Sequence, residues 1–145
     1  MYGCCLNYLT FICSLTLVLL CPSSLFAEIA SDQDEEVLIE ASFGFTADVD
    51  EKHRLKNPEL GGGSILDIGC YPLSMARLIA GSLVENSFAD PLKISASGEL
   101  SSNNIDLNAK AELEFSSKIK ASIKSAINEE YENSLRVSSR DKHIF

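Results

Sequence analysis

Asp67 and Tyr71 carry the pair of side chains in this sequence best suited to chemistry on a hydroxyl group. They are four residues apart, and in a helix that spacing puts both on one face, about one turn from each other. A tyrosine hydroxyl can donate or accept a proton, but its ordinary pKa is about 10, and an acidic neighbour raises it further. Asp67 is better suited to holding a substrate hydroxyl. The plainer interpretation, which spacing alone favours, is a helix-start aspartate beside a half-buried tyrosine.

The sequence beside Tyr71 disfavours a regular helix. Pro72 lacks the amide that would bond to the carbonyl of Ile68 and clashes with that carbonyl, at a cost of about 3 kcal/mol. Gly69 weakens the helix as well. We therefore expect the helix to bend or end here, and breaks in local rules of this kind tend to mark functional sites.

Other residues with chemical potential have weaker patterns. The triplet at 61–63 (GGG) could offer amides to an anion, but it matches no nucleotide-binding fingerprint, so we expect a loop that allows close backbone approach. Cys70 is expected to be a small buried hydrophobe. Four of the five cysteines lie in the first 21 residues, and His53 and His143 have no partners at ligand spacing, so no metal site is expected.

The helix that must position Asp67 and Tyr71 is predicted from Ser64 to Gly81. Ile65, Ile68, Met75 and Ile79 recur at helical spacing on its apolar face. Ser64 is a candidate N-cap with Asp67 in capping-box position, and Gly81 stands where a C-terminal cap would.

Alternating apolar and polar residues predict strands on both sides of that helix. The segments 37–46, 92–100, 105–115, 119–127 and 134–138 fit this pattern, with a break expected at Gly98. Short turns between the later segments favour antiparallel neighbours. The predicted fold is α+β: one N-terminal helix region followed by an open antiparallel β-sheet with one face in solvent.

Charge divides the 145-residue chain into three parts. Residues 1–27 carry no acidic or basic side chain, 28–36 form an acidic linker, and 37–145 form the predicted domain. The formal net charge of −9 disfavours nucleic acid as a partner, because both would be negative.

The apolar N-terminus has several interpretations. The run at 11–21 has the length of a signal-peptide core, although no basic residue precedes it and Leu25 suits the cleavage site poorly. The uncharged stretch 4–27 is long enough to span a bilayer. A buried helix, or a sequence joined to the domain by a wrong start site or splice, is the alternative. A signal or anchor would make the protein secreted or membrane-anchored; membrane binding is expected only with an anchor.

Two segments resemble one enzyme family. LIEASFGF at 38–45 and HRLKNPELGGGSILDIGCYPLSMARLIAG at 53–81, with its specific core at 61–72, resemble the Gfo/Idh/MocA oxidoreductases, most closely the dihydrodiol dehydrogenase-like branch. ENSLRV at 132–137 fits the same family's later sheet. The resemblance covers about residues 36–145 and implies the C-terminal α+β domain of a two-domain, cytoplasmic enzyme.

The resemblance also implies roles for individual residues. Tyr71 matches the family's usual acid/base, and Asp67 and Arg54 are the implied substrate-binding residues. Complete relatives bind NAD or NADP in a preceding Rossmann domain, which also supplies a catalytic lysine in an EKP motif that is missing here. The implied substrate is a small molecule with a sugar-like or diol hydroxyl.

The remaining expectations follow from the absence of a nucleotide-binding fingerprint and of the EKP motif in this sequence. The chain is predicted to be an oxidoreductase fragment that binds no NAD(P) alone and is inactive by itself. The alternatives are a non-catalytic interaction module and an exported or membrane-tethered protein that keeps only the fold. Self-association through the sheet face is also expected, because large apolar patches are rarely left bare.

Overall fold

The computed structural model describes residues 35–116 and 118–139, together with the backbone of 142–143. A helical region follows the first strand, and the remaining strands come after it, as predicted. The elements are β1 (Val37–Gly44), two 3-10 helical turns (Arg54–Lys56 and Pro58–Leu60), a π-helical turn (Ile65–Gly69), α1 (Cys70–Ser82), β2 (Lys93–Leu100), β3 (Asp106–Glu114), β4 (Ile119–Ala126), β5 (Leu135–Ser139) and β6 (Lys142–His143).

The described strands form one sheet in the order β2-β3-β4-β1-β5-β6. The meander of β2, β3 and β4 is antiparallel, as the short turns predicted, and β5 pairs antiparallel with both its neighbours. The pair β1–β4 is parallel, so the expectation of a purely antiparallel sheet is wrong at this position. The predicted α+β class is confirmed. Strand β1 lies between β4 and β5. Parallel neighbours need a long connection, and the chain through α1, β2 and β3 forms the one between β1 and β4.

The core lies between α1 and one face of the sheet. Ile39, Ala41 and Phe43 of β1 are buried, as their period-two spacing predicted. Met75 and Ile79 of α1 pack against this layer. The opposite face of the sheet carries mostly charged and hydroxyl side chains.

The helix differs from its predicted form at both ends. Its first turn is π-helical, and Ser64 makes no capping hydrogen bond to the backbone of that turn, so the predicted capping box is wrong. Ile65 is exposed rather than on the apolar face, because a π turn takes more residues per revolution than an α turn. Gly81 lies inside α1, which ends at Ser82. A side chain at Gly81 would collide with the backbone of Phe88.

Strand β2 continues through Gly98, so the break expected there is absent. Gly98 pairs with Ala109, and a β-carbon at this position would press against the carbonyl oxygen of Asn108. The irregularity lies one residue later, where the register of β2 and β3 shifts between Glu99 and Leu100. Glycine is therefore needed for close strand approach.

The apolar segment 1–27 and most of the acidic linker lie outside the described residues. The predictions of export or anchoring therefore stay predictions. Among the residues that the structure describes, no helix is both long and apolar enough to cross a membrane.

Candidate functional site

The glycine triplet forms a tight turn whose amides are all used internally. The amides of Gly61, Gly62 and Gly63 donate to the carbonyls of Pro58, Asn57 and Leu55 at 3.2, 3.0 and 3.0 Å. A β-carbon on Gly62 would lie 2.7 Å from two carbonyl oxygens. No amide of the triplet is left for an anion, and the surrounding oxygens would repel one. The interpretation as a loop for close backbone approach is the better one.

Asp106 fixes the position of this turn from across the domain. Its Oδ2 atom accepts hydrogen bonds from Ser64 Oγ at 2.8 Å and from the amide of Ile65 at 2.7 Å. Ser64 is fully buried and also contacts Ser125 Oγ at 3.1 Å. Gly63 has a φ of +117°, and a β-carbon there would collide with the Asp106 carboxylate. The start of the helical region is thus held by β3 and β4.

The π turn lies just before Pro72, the residue that disfavours a regular α-helix. The turn Ile65–Gly69 widens the helical path directly before α1, and Pro72 follows as the third residue of α1. Pro72 is fully buried against the core. The predicted irregularity is confirmed as a change of helix type, and single π turns of this kind occur frequently at functional sites.

Arg54 and Asp67 form an ion pair at the start of the helical region. Arg54 Nη1 lies 2.6 Å from Asp67 Oδ1, although the residues are 13 apart in sequence. The Asp67 side chain is 14% exposed and the Arg54 side chain is 63% exposed. The carboxylate is therefore held in the wall of the domain, while most of the guanidinium faces solvent. The two predicted substrate-binding residues are together.

Tyr71 lies at the edge of a second apolar cluster. Its ring is half-buried and meets the ring of Phe43 at a centroid distance of 5.8 Å and an interplanar angle of 50°. Ile68, Ile105 and Ile127 complete this packing. Such packing limits the ring to a small range of orientations.

A cavity of about 270 Å³ adjoins the same cluster. Ala47, Leu107 and Ile127 belong to both, and the cavity also reaches Lys56 and Asn103. Its wall is apolar on the cluster side and polar at the loops. Tyr71, Asp67 and Arg54 do not line this cavity, which adjoins them only through the apolar cluster.

Cys70 is exposed, so its prediction as a buried hydrophobe is wrong. The buried positions of α1 include Pro72, Met75, Ala76 and Ile79, and residue 70 falls off that face. His53 Nδ1 accepts a hydrogen bond from the amide of Leu55 and so caps a 3-10 turn. No group of three or more potential metal ligands occurs among the described residues.

The sequence reasoning missed a polar cavity on the open face of the sheet. It has a volume of about 220 Å³ and is lined by residues from β1, β4, β5 and the segment before β5, among them Glu40, Lys124, Tyr131 and Arg136. Tyr131 Oη donates to Glu129 Oε2 at 3.1 Å. Partial burial, with that carboxylate as a smaller cause, raises the pKa of Tyr131 above 10.0. In the sequence, only the alternation of apolar and polar residues in β1 pointed to this cavity, because it places Glu40 on the face opposite the core.

The fold defines a class: an α+β domain with one helix layer on a mostly antiparallel open sheet. A family model described as the GFO/IDH/MocA C-terminal domain matches residues 14–142. The chain therefore belongs to this family of domains, which is found in oxidoreductases. The matched range begins upstream of residue 36, where the resemblance seen in the sequence starts. No curated protein was found to match the chain.

Proposed function

We propose that this domain is the substrate side of an oxidoreductase of the dihydrodiol dehydrogenase-like branch. Its substrate is a small molecule with a sugar-like or diol hydroxyl, held by Asp67 and Arg54. Tyr71 moves the proton of that hydroxyl. The Arg54–Asp67 ion pair at 2.6 Å, one helical turn before Tyr71, is the observation that supports the proposal best.

The charges of the pair suit neutral hydroxyl groups. Asp67 offers a carboxylate that can accept a hydrogen bond from a substrate hydroxyl, and Arg54 keeps further N–H donors toward solvent. Because Asp67 already balances the positive charge of Arg54, an anionic substrate gains little there. A neighbouring pair of hydroxyls can use one acceptor and one donor together.

The turn at 61–63 does not suit the pyrophosphate of a nicotinamide cofactor. A dinucleotide site needs free amides at a glycine turn that opens onto a helix N-terminus. Here the three amides of the turn at 61–63 are bonded to carbonyls, and Asp106 occupies the start of the helical region. The proposal therefore concerns only the substrate hydroxyl and its proton, and it assigns NAD or NADP to a separate dinucleotide-binding domain.

Two matched ion pairs make this proposal testable. Arg77 and Asp90 also lie 13 residues apart with an Nη2–Oδ1 distance of 2.6 Å. Isothermal titration of a cyclic diol or hexose into the protein is expected to show saturable millimolar binding. Asp67→Asn should weaken it about tenfold, since a hydrogen bond to a charged group contributes about 1.5–3 kcal/mol. Asp90→Asn should leave it unchanged. Equal effects of the two variants, or no saturable binding, would contradict the proposal.

The second candidate function is a non-catalytic interaction module. It is favoured by the outer strand β2, in which all eight residues are exposed. A protein that uses only this strand would show binding to a partner with no effect of Asp67→Asn or Tyr71→Phe.

A further inference from the structure

Among the described residues, strand β2 is the outer strand of the sheet, and its outer edge is unpaired. Every residue from Lys93 to Leu100 is exposed, and no described residue pairs with its outer side. The described helix α1 packs on β1 and β4 and leaves β2 bare. Long, exposed edges invite pairing with another chain, because their amides and carbonyls lack partners.

The hydrogen-bond pattern identifies the groups on that edge. The amide of Ile127 donates to the carbonyl of Leu107, so odd-numbered residues of β3 bond to β4. The even-numbered residues of β3 therefore bond to β2, where their register partners are odd-numbered: Lys93, Ser95, Ser97 and Glu99. Alternation in antiparallel pairs then makes the odd-numbered residues of β2 bond to β3. The amides and carbonyls that point outward are those of Ile94, Ala96 and Gly98.

These outward groups are symmetric about Ala96. We propose that a second copy of this chain adds to the sheet through β2, antiparallel, with Ala96 opposite Ala96 of the other copy. Ile94 then lies opposite Gly98 of the other copy, and each outward amide meets an outward carbonyl. The two sheets join into one continuous sheet about a two-fold axis.

The side chains agree with this register on both faces of the strand. On one face, Lys93 lies opposite Glu99 of the other copy, and the two-fold axis produces this ion pair twice. On the other face, Ile94 is 61% exposed in the single chain and would pack over Gly98 of the other copy. Same-face cross-strand neighbours stabilise antiparallel pairs when their charges are opposite.

Neighbouring registers do not form the Lys93–Glu99 and Ile94–Gly98 pairs. A shift of two residues in one direction puts Lys93 opposite Ser97, and in the other direction opposite Ser101. Neither shift gives Glu99 a cationic partner, and both move Ile94 away from Gly98. A shift by one residue would turn apolar side chains toward the polar face. The sequence of β2 is therefore self-complementary in one register.

Charge reversal tests the register directly. We expect sedimentation equilibrium to show a monomer–dimer equilibrium at about 100 µM, with Lys93→Glu and Glu99→Lys each weakening the dimer about tenfold through two repulsive pairs. The double variant K93E/E99K should restore the dimer, because it exchanges the charges across the two-fold axis. Each variant at Lys93 also loses the exposed ion pair with Glu114 of the same chain, in which Nζ and Oε1 lie 3.4 Å apart. Circular dichroism checks that each variant is folded.

A proline substitution tests the edge itself. Ala96→Pro removes an outward amide without removing a bond to β3, since proline is tolerated on an outer edge. We expect the folded variant to be monomeric. A monomeric wild-type protein would overturn the proposal. A dimer insensitive to Ala96→Pro, or one not restored by the double reversal, would overturn it in favour of another surface such as the sheet face.

Discussion

Removal of the Asp106 carboxylate should destabilise the domain more than its half-buried position suggests. Asp106→Ala deletes two hydrogen bonds, to the Ser64 hydroxyl and to the amide of Ile65. Each bond to a charged group contributes about 1.5–3 kcal/mol. Ser64 is fully buried and keeps only Ser125 as a hydroxyl neighbour. Allowing for water entry at the half-exposed carboxylate, we expect a loss of about 2–4 kcal/mol in the free energy of unfolding.

Urea unfolding followed by circular dichroism measures this loss. With a slope of about 2 kcal/mol per molar urea, in the middle of the usual range, the midpoint should fall by about 1–2 M. Asp90→Ala is the matched control, because its ion pair with Arg77 is mostly exposed and such pairs contribute about 0–1 kcal/mol. If the two variants unfold within about 0.5 kcal/mol of each other, the role given to Asp106 is wrong.

Three further predictions concern single positions. Gly63→Ala should cost more than about 3 kcal/mol by urea unfolding, because its φ is +117° and the new β-carbon meets Asp106. Gly61→Ala should cost about 1 kcal/mol, because its φ is +69° but the new β-carbon makes only an ordinary contact with Leu66. Lys124 lies opposite Lys110 in the β3–β4 register, so Lys124→Glu should raise stability by about 0.2–1 kcal/mol, and a loss would count against that register. The pKa of Tyr131 is raised in the folded protein, so the neutral phenol favours the folded state. This stabilisation is fully present below the unfolded pKa of about 10 and is lost as the pH rises through the folded pKa. An absorbance titration should show a late-ionising tyrosine component that Tyr131→Phe reduces; an unchanged titration would refute the assignment.

The parts of the fold that sequence could predict are those set by local periodicity. Ile39 and Phe43 alternate with polar residues and are buried, since a pleated strand sends every second side chain to one face. The irregular helix at Pro72 followed from the missing amide. The exposed Cys70 was missed because the π turn changes which residues share the buried face.

The parts that sequence could not predict depend on distant contacts. Asp106 bonds to Ser64 across 42 residues, and no local pattern marks it as the anchor of the helical region. The insertion of β1 beside β4 follows from packing of the whole sheet, not from turn lengths. The Arg54–Asp67 pair needs the tight glycine turn between its members, and that geometry appears only in the folded chain.

Chemical-shift mapping during a diol titration tests the central proposal most directly. In ¹⁵N–¹H spectra of the wild-type protein, a cyclic diol should shift the amides around Arg54, Asp67 and Tyr71. The open-face cavity beside Lys124 and Tyr131 is the internal control, because its lining is also polar. Saturable shifts confined to the Arg54–Asp67–Tyr71 region are the predicted result. Shifts confined to the open-face cavity, or spread evenly over both regions, would contradict the account.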